Sequence, residues 1–81
     1  MIESMQCRIQ LKLSATLKRF TPPAADAYPI KAGITVRDLL TALGIPLSEV
    51  NLLFIDGEKA NLDARLAGGE QVSLFPPLGG G

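Results

Sequence analysis

The 81-residue sequence contains no histidine, which removes the commonest general base and the commonest metal ligand. It has a single cysteine, Cys7. No disulfide can form within the chain, so a disulfide-stapled scaffold is excluded and a reducing cytosol fits. No apolar run approaches the roughly 20 residues needed to span a bilayer. The opening Met1-Ile2-Glu3-Ser4-Met5 lacks the charged and apolar regions of a signal peptide, and the expected location is cytoplasmic. Acidic and basic side chains balance at eight each. The clustered Lys and Arg of a nucleic-acid binder are missing, so neither nucleic acid nor membrane is expected as a partner.

What is present is ordinary globular material. Hydrophobic residues make up 47% of the chain and charged residues 20%, well away from the composition of disorder. The length suits one domain, with burial of about 60–65% of the unfolded surface and therefore an economical core.

The first segment alternates. Met5, Cys7, Ile9, Leu11 and Leu13 are apolar, while Gln6, Arg8, Gln10 and Lys12 are polar; a period of two predicts a strand with one face on a core. Cys7 falls on the apolar side and reads as a small buried hydrophobe. A polar connection from Ser14 to about Asp26 follows, broken by Pro22 and Pro23. Tyr28 to Ala32 reads as a short strand, and Pro29 confines it to an edge or an irregular position. Thr35 to Leu43 is a helix: Val36, Leu39, Leu40 and Leu43 form one apolar stripe. Thr35 and Asp38 make a capping-box pattern, and Gly44 and Pro46 end the helix. Val50 to Ile55 predicts a strand and Asp56-Gly57 a tight hairpin turn, with Glu58 to Ala60 returning. Asn61 to Ala67 predicts a turn of helix around Leu62 and Leu66. Gly68-Gly69 breaks the chain, and Gln71 to Phe75 is a last strand.

One main helix and a mixed sheet of four to five strands make a two-layer α+β domain. The stripe of Leu39, Leu40 and Leu43 is expected to pack on Cys7, Ile9, Leu11, Leu53 and Leu74. This order is that of a β-grasp arrangement, as in ubiquitin-like proteins. Residues 1–75 would form the domain and residues 76–81 a flexible glycine-rich tail. In that tail Pro76 and Pro77 stiffen the exit, and Gly79, Gly80 and Gly81 can enter a slot too narrow for side chains. The six residues from Pro76 reach at most about 20 Å, enough to place a terminal carboxylate in another protein's active site. A frayed end is the bland alternative. Beside the tail, Phe75, Pro76 and Leu78 are candidates for an apolar partner surface, with Phe75 equally readable as core.

The chain resembles the MoaD/ThiS family of sulfur carrier proteins. The residues that carry the likeness are Thr35-Val36-Arg37-Asp38-Leu39-Leu40, the Asp56-Gly57 hairpin, Gly69-Glu70-Gln71-Val72 and Phe75-Pro76-Pro77-Leu78-Gly79-Gly80-Gly81. The Phe-Pro-Pro step is closer to the small subunit of molybdopterin synthase than to the thiamine-pathway carrier. The third glycine is a departure from the two that suffice. The resemblance implies that a partner E1-like enzyme uses ATP to adenylate the Gly81 carboxylate. A sulfur donor then converts it to a thiocarboxylate, which supplies sulfur for the molybdopterin or tungstopterin cofactor. It also implies that Phe75, Pro76, Pro77, Leu78, Gly79 and Gly80 contact partners, the large subunit of a molybdopterin synthase among them. ATP and catalytic residues would belong to the partners, and the chain would bind no cofactor or metal. As a carrier, with no nucleophile–base pair in view, it is not expected to be an enzyme. A thiamine-pathway carrier, a protein modifier joined through Gly81 to lysines, and a plain interaction module are the competing readings.

Overall fold

The computed structural model describes residues 6–77. Five strands and one α-helix alternate with short 3-10 turns. The strands are β1 (Gln6–Leu13), β2 (Tyr28–Lys31), β3 (Leu52–Ile55), β4 (Glu58–Ala60) and β5 (Gln71–Phe75); the helix is α1 (Val36–Leu43). They form one sheet in the order β2-β1-β5-β3-β4. β1 and β5 are parallel at its centre, with Leu11 opposite Val72, and the remaining pairings are antiparallel. This is the α+β arrangement expected from the element order. Among the described residues no helix is long and apolar enough to cross a membrane.

Strand alternation decides which side chains reach the core. Ile9, Leu11 and Leu13 of β1, Leu53 of β3, and Val72 and Leu74 of β5 are buried against Val36, Leu39 and Leu40 of α1. Leu43 and Cys7 are half-buried at the margin of this cluster and not within it. The edge position predicted for β2 is observed, and Pro29 lies opposite Arg8 in its pairing with β1.

The helix is stopped as its sequence predicts. Gly44 is left-handed (φ 77°), and the Ile45 N–H reaches back to the Leu40 carbonyl at 2.9 Å. That closure leaves Ile45 buried, as in a Schellman-type end with its hydrophobic contact. At the start, Thr35 Oγ1 accepts from the Asp38 N–H at 3.1 Å. The return bond from the Asp38 side chain is not made among the described residues; Asp is one methylene shorter than the Glu that closes a full capping box.

Two segments depart from expectation. Residues 61–67 are not helical. Asn61 Oδ1 accepts from the Asp63 N–H at 2.9 Å to form a turn, and the chain then runs antiparallel to the entry of α1. The Ala64 and Leu62 carbonyls accept from the Val36 and Arg37 N–H groups, both at 2.9 Å, and Leu66 N–H donates to Ile34 O at 2.8 Å. A helix here would have turned those carbonyls inward and left the first N–H groups of α1 without partners. The connection after β1 is also more than a polar linker. It contains 3-10 turns at Ala15–Phe20 and Ala25–Ala27, and Leu17 is fully buried. Arg19 holds this connection to Glu49 by a 3.0 Å ion pair, exposed on both sides and of modest energetic value.

Candidate functional site

The root of the tail is a fixed point. β5 ends at Phe75, opposite Leu52 of β3, and the Asn51 N–H donates to the Phe75 carbonyl at 2.8 Å. That bond extends the ladder to the last residue before Pro76, which has no N–H to continue it. Pro76 is half-buried and Pro77 exposed. Leu78, Gly79, Gly80 and Gly81, which were expected to deliver a carboxylate, lie outside the described residues.

Phe75 is on the sheet face opposite the helix. Leu74 points into the core, so its neighbour points away from it. The register places Lys12, Ser73, Phe54 and Lys59 side by side across β1, β5, β3 and β4. Leu52 and Phe75 pair one step along on the same face. The rings of Phe54 and Phe75 meet edge to face, with centroids 5.7 Å apart and planes at 89°, a geometry favoured by the aromatic quadrupole. Both rings and Leu52 are half-buried, while Lys12 and Lys59 are exposed. The core reading of Phe75 is thereby replaced by a place on an open apolar platform at the base of the tail.

Sequence reasoning picked Phe75 and Pro76 but missed Leu52, Phe54, Lys12 and Lys59. Leu52 and Phe54 sat in an unbroken apolar run, Val50 to Ile55, whose faces periodicity alone does not separate. The signal available was the pairing of that run with the alternating strand Gln71 to Phe75. A cleft of about 340 Å³ adjoins the platform at the same end of the sheet, with Asn51, Leu52, Lys59 and Arg37 among its walls. Arg37 pairs there with Asp63 at 3.1 Å.

The far end of β5 is held by a second device. Both Glu70 carboxylate oxygens accept from backbone, Oε2 from the Ala67 N–H at 2.8 Å and Oε1 from the Gly68 N–H at 2.7 Å. Asp56, at the β3–β4 turn, accepts from the Gln71 N–H at 3.0 Å through its side chain and donates its own N–H to the Gln71 carbonyl at 2.9 Å. The strand that carries the tail is therefore pinned at both ends, so the exit direction from Phe75 is set by the sheet.

Comparison with known proteins agrees with this architecture. No curated protein matches the chain in sequence. The structure resembles the HVO 2177 protein of Haloferax volcanii, with a TM-score of 0.74 and 19% identity over 99% of this chain and 92% of that one. It also resembles SAMP1 of the same organism, with a TM-score of 0.62 and 27% identity over 90% and 98% of the two chains. A putative molybdopterin converting factor, subunit 1, from Pyrococcus furiosus shares the fold at a TM-score of 0.62 and 19% identity over 89% and 99%. The sequence profile of the Mut7-C ubiquitin family matches residues 6–78, which takes in every described residue, and this protein belongs to that family of ubiquitin-like β-grasp domains.

Proposed function

We propose that this domain is a sulfur carrier that works through the carboxylate of Gly81. The observation that carries the reading is the exit of β5: a strand fixed to its last residue by Asn51, an apolar platform beside it, and then Pro76-Pro77-Leu78-Gly79-Gly80-Gly81. A rigid root followed by a slender arm of at most about 20 Å suits delivery of one end group into a partner's active site. Likeness to a molybdopterin converting factor subunit in fold supports the same assignment.

In the proposed cycle a Gly81 carboxylate oxygen attacks the α-phosphorus of ATP on an E1-like partner, and pyrophosphate leaves. The acyl-adenylate makes the carbonyl carbon electrophilic. Sulfide-level sulfur (HS⁻) from a donor adds there, AMP leaves as the C–O bond breaks, and a thiocarboxylate remains. That sulfur passes to the molybdopterin or tungstopterin precursor, on a larger synthase subunit that docks against Phe75, Pro76, Pro77 and Leu78. ATP stays with the partner throughout.

A second reading shares the first step. SAMP1, and another solved structure described as small archaeal modifier protein 1, are 27% and 25% identical to this chain. Their names favour a modifier whose acyl-adenylate is transferred to a lysine amine, with loss of AMP, giving an isopeptide bond. Both readings require a free carboxylate on Gly81 in the cell. Intact-mass analysis of the protein purified from its native host separates them. A free chain heavier by the oxygen-to-sulfur difference is the expected result, and lysine conjugates alone would select the modifier. Neither species, together with pathway activity unaffected by deletion of Gly80 and Gly81, would refute both.

A further inference from the structure

The cleft of about 340 Å³ beside the root of the tail has a volume at which ligand sites begin, about 300–1,000 Å³. Its walls come from the entry to β3, the exit from β4 and the first turn of α1. Val50, Leu52 and Leu62 give it a half-buried apolar side. Arg37, Lys59 and Asp63 give it a charged rim, and all three are exposed. Arg37 meets Asp63 through one contact at 3.1 Å, and Lys59 has no ion pair among the described residues. Two cations against one carboxylate leave the rim one positive charge in excess.

The segment that complements this cleft belongs to the chain itself. Asn51, one of the walls, is the residue whose N–H holds the Phe75 carbonyl at 2.8 Å. Leu52, another wall, pairs with Phe75 across the ladder. Lys59 stands on β4, two inter-strand steps from β5, about 10 Å. Leu78 to Gly81 span up to about 14 Å when extended, more than those two steps. From Gln71 to Gly81 no side chain is charged, so the Gly81 carboxylate is the single charge of the segment. It equals the excess on the rim. Leu78 offers an apolar side chain for the apolar wall, and Gly79 and Gly80 let the backbone turn without a steric penalty.

We propose that this cleft seats the chain's own terminus, with Leu78 against Val50, Leu52 and Leu62 and the Gly81 carboxylate between Lys59 and Arg37. The proposal rests on the carrier reading, which supplies the carboxylate. It adds a docked state that withholds this group until a partner draws it out. A short tether presents the segment to the cleft at an effective concentration in the millimolar range, so contacts too weak to hold a separate peptide suffice. The same tether favours this occupant over another protein, which meets the cleft only at its own concentration. A partner that needs the extended arm finds its apparent affinity reduced by the docked fraction.

The test uses the full chain. Carbodiimide coupling joins a carboxylate to an amine in contact with it, with loss of water, and peptide mapping by mass spectrometry locates the amide. Lys12 is the internal control. It stands opposite Ser73, one inter-strand step from β5, whereas Lys59 stands two steps away. A tail without a seat therefore couples to Lys12 at least as often. The expected product is an amide between Gly81 and Lys59 of the same chain, about tenfold more abundant than that with Lys12. Arg37→Gln and Leu78→Ser should each remove most of this preference, and about 500 mM NaCl should weaken it. The exposed Arg37–Asp63 pair adds little stability, and circular dichroism verifies that the variants fold. Adenylation by the E1-like enzyme of the same genome is followed by pyrophosphate exchange. There Arg37→Gln should lower KM about twofold to threefold with kcat unchanged, as expected if about half to two-thirds of the arms are docked. Coupling to Lys12 equal to or above that to Lys59, amides formed only between chains, or a preference unchanged by both variants would overturn the proposal. A raised KM for Arg37→Gln would do the same. Adenylation without a preference for Lys59 removes the seat and leaves the carrier reading, whereas the preference without adenylation leaves the seat and faults the carrier reading.

Discussion

Replacing Gly68 by alanine should unfold this domain more readily than the same change one residue later. Gly68 has φ +119°, and a Cβ built there lies 2.5 Å from Cys7 Cβ and 2.9 Å from Cys7 Sγ. Gly69 also has positive φ, +87°, but a Cβ there meets nothing within 4 Å. Both substitutions incur the backbone penalty of an L-residue at positive φ, about 1–2 kcal/mol. Only Gly68→Ala adds overpacking against β1, worth about 1–3 kcal/mol. The Gly69 N–H holds the Arg8 carbonyl at 2.7 Å, so the loop cannot simply move off the strand. The expected losses are therefore about 2–5 kcal/mol for Gly68→Ala and about 1–2 kcal/mol for Gly69→Ala. In a domain of this size each kcal/mol shifts Tm by about 4–8 °C. Urea denaturation of both variants measures the difference. Adding Cys7→Ala should recover only part of the Gly68→Ala loss, because it removes the sulfur contact and leaves the closer Cβ contact. Equal losses for the two glycines, within about 0.5 kcal/mol, would refute the argument from close approach.

Two further predictions concern stability. Thr35→Ala deletes the acceptor of the Asp38 N–H and should lower unfolding free energy by about 1 kcal/mol, while Thr35→Ser should retain most of it; chemical denaturation distinguishes them. Leu17→Ala empties a fully buried position in the connection after β1 and should lower stability by about 2–5 kcal/mol. A value below about 0.5 kcal/mol, typical of a surface site, would show that the connection is not part of the core.

Much of the architecture can be read from local patterns, because those patterns are local physics. The alternation from Cys7 to Leu13 is the pleat of β1. Thr35, the apolar stripe and Gly44 specify start, face and stop of α1 within ten residues. Asp56, at φ 54°, and Gly57, at φ 84°, both take the left-handed conformation of a tight hairpin turn. Segments whose shape depends on distant partners read less well. Residues 61–67 carry apolar spacing compatible with a helix, yet their carbonyls are drawn out by N–H groups at the start of α1 that have no partner within the helix, 25 residues earlier in the chain for Arg37 and Leu62 by their numbering. Leu17 lies among polar neighbours and turns inward only because the ends of β1 and β5 leave core to cover.

The candidate site divides the same way. The chemistry proposed for it rests on the sequence alone, on the run Gly79-Gly80-Gly81. Its surface does not. Lys12, Phe54, Lys59 and Phe75 lie as much as 63 positions apart by their numbering, and only strand register sets them in one patch. Register is fixed by burying the opposite side of the same strands, for a slip of one residue would exchange the two faces. By itself the sequence determined the strands and the helix. The tertiary structure decided which residues meet at the end of β5 and which charges stand beside them, because burying Leu53, Val72 and Leu74 leaves Phe54 and Phe75 no other face.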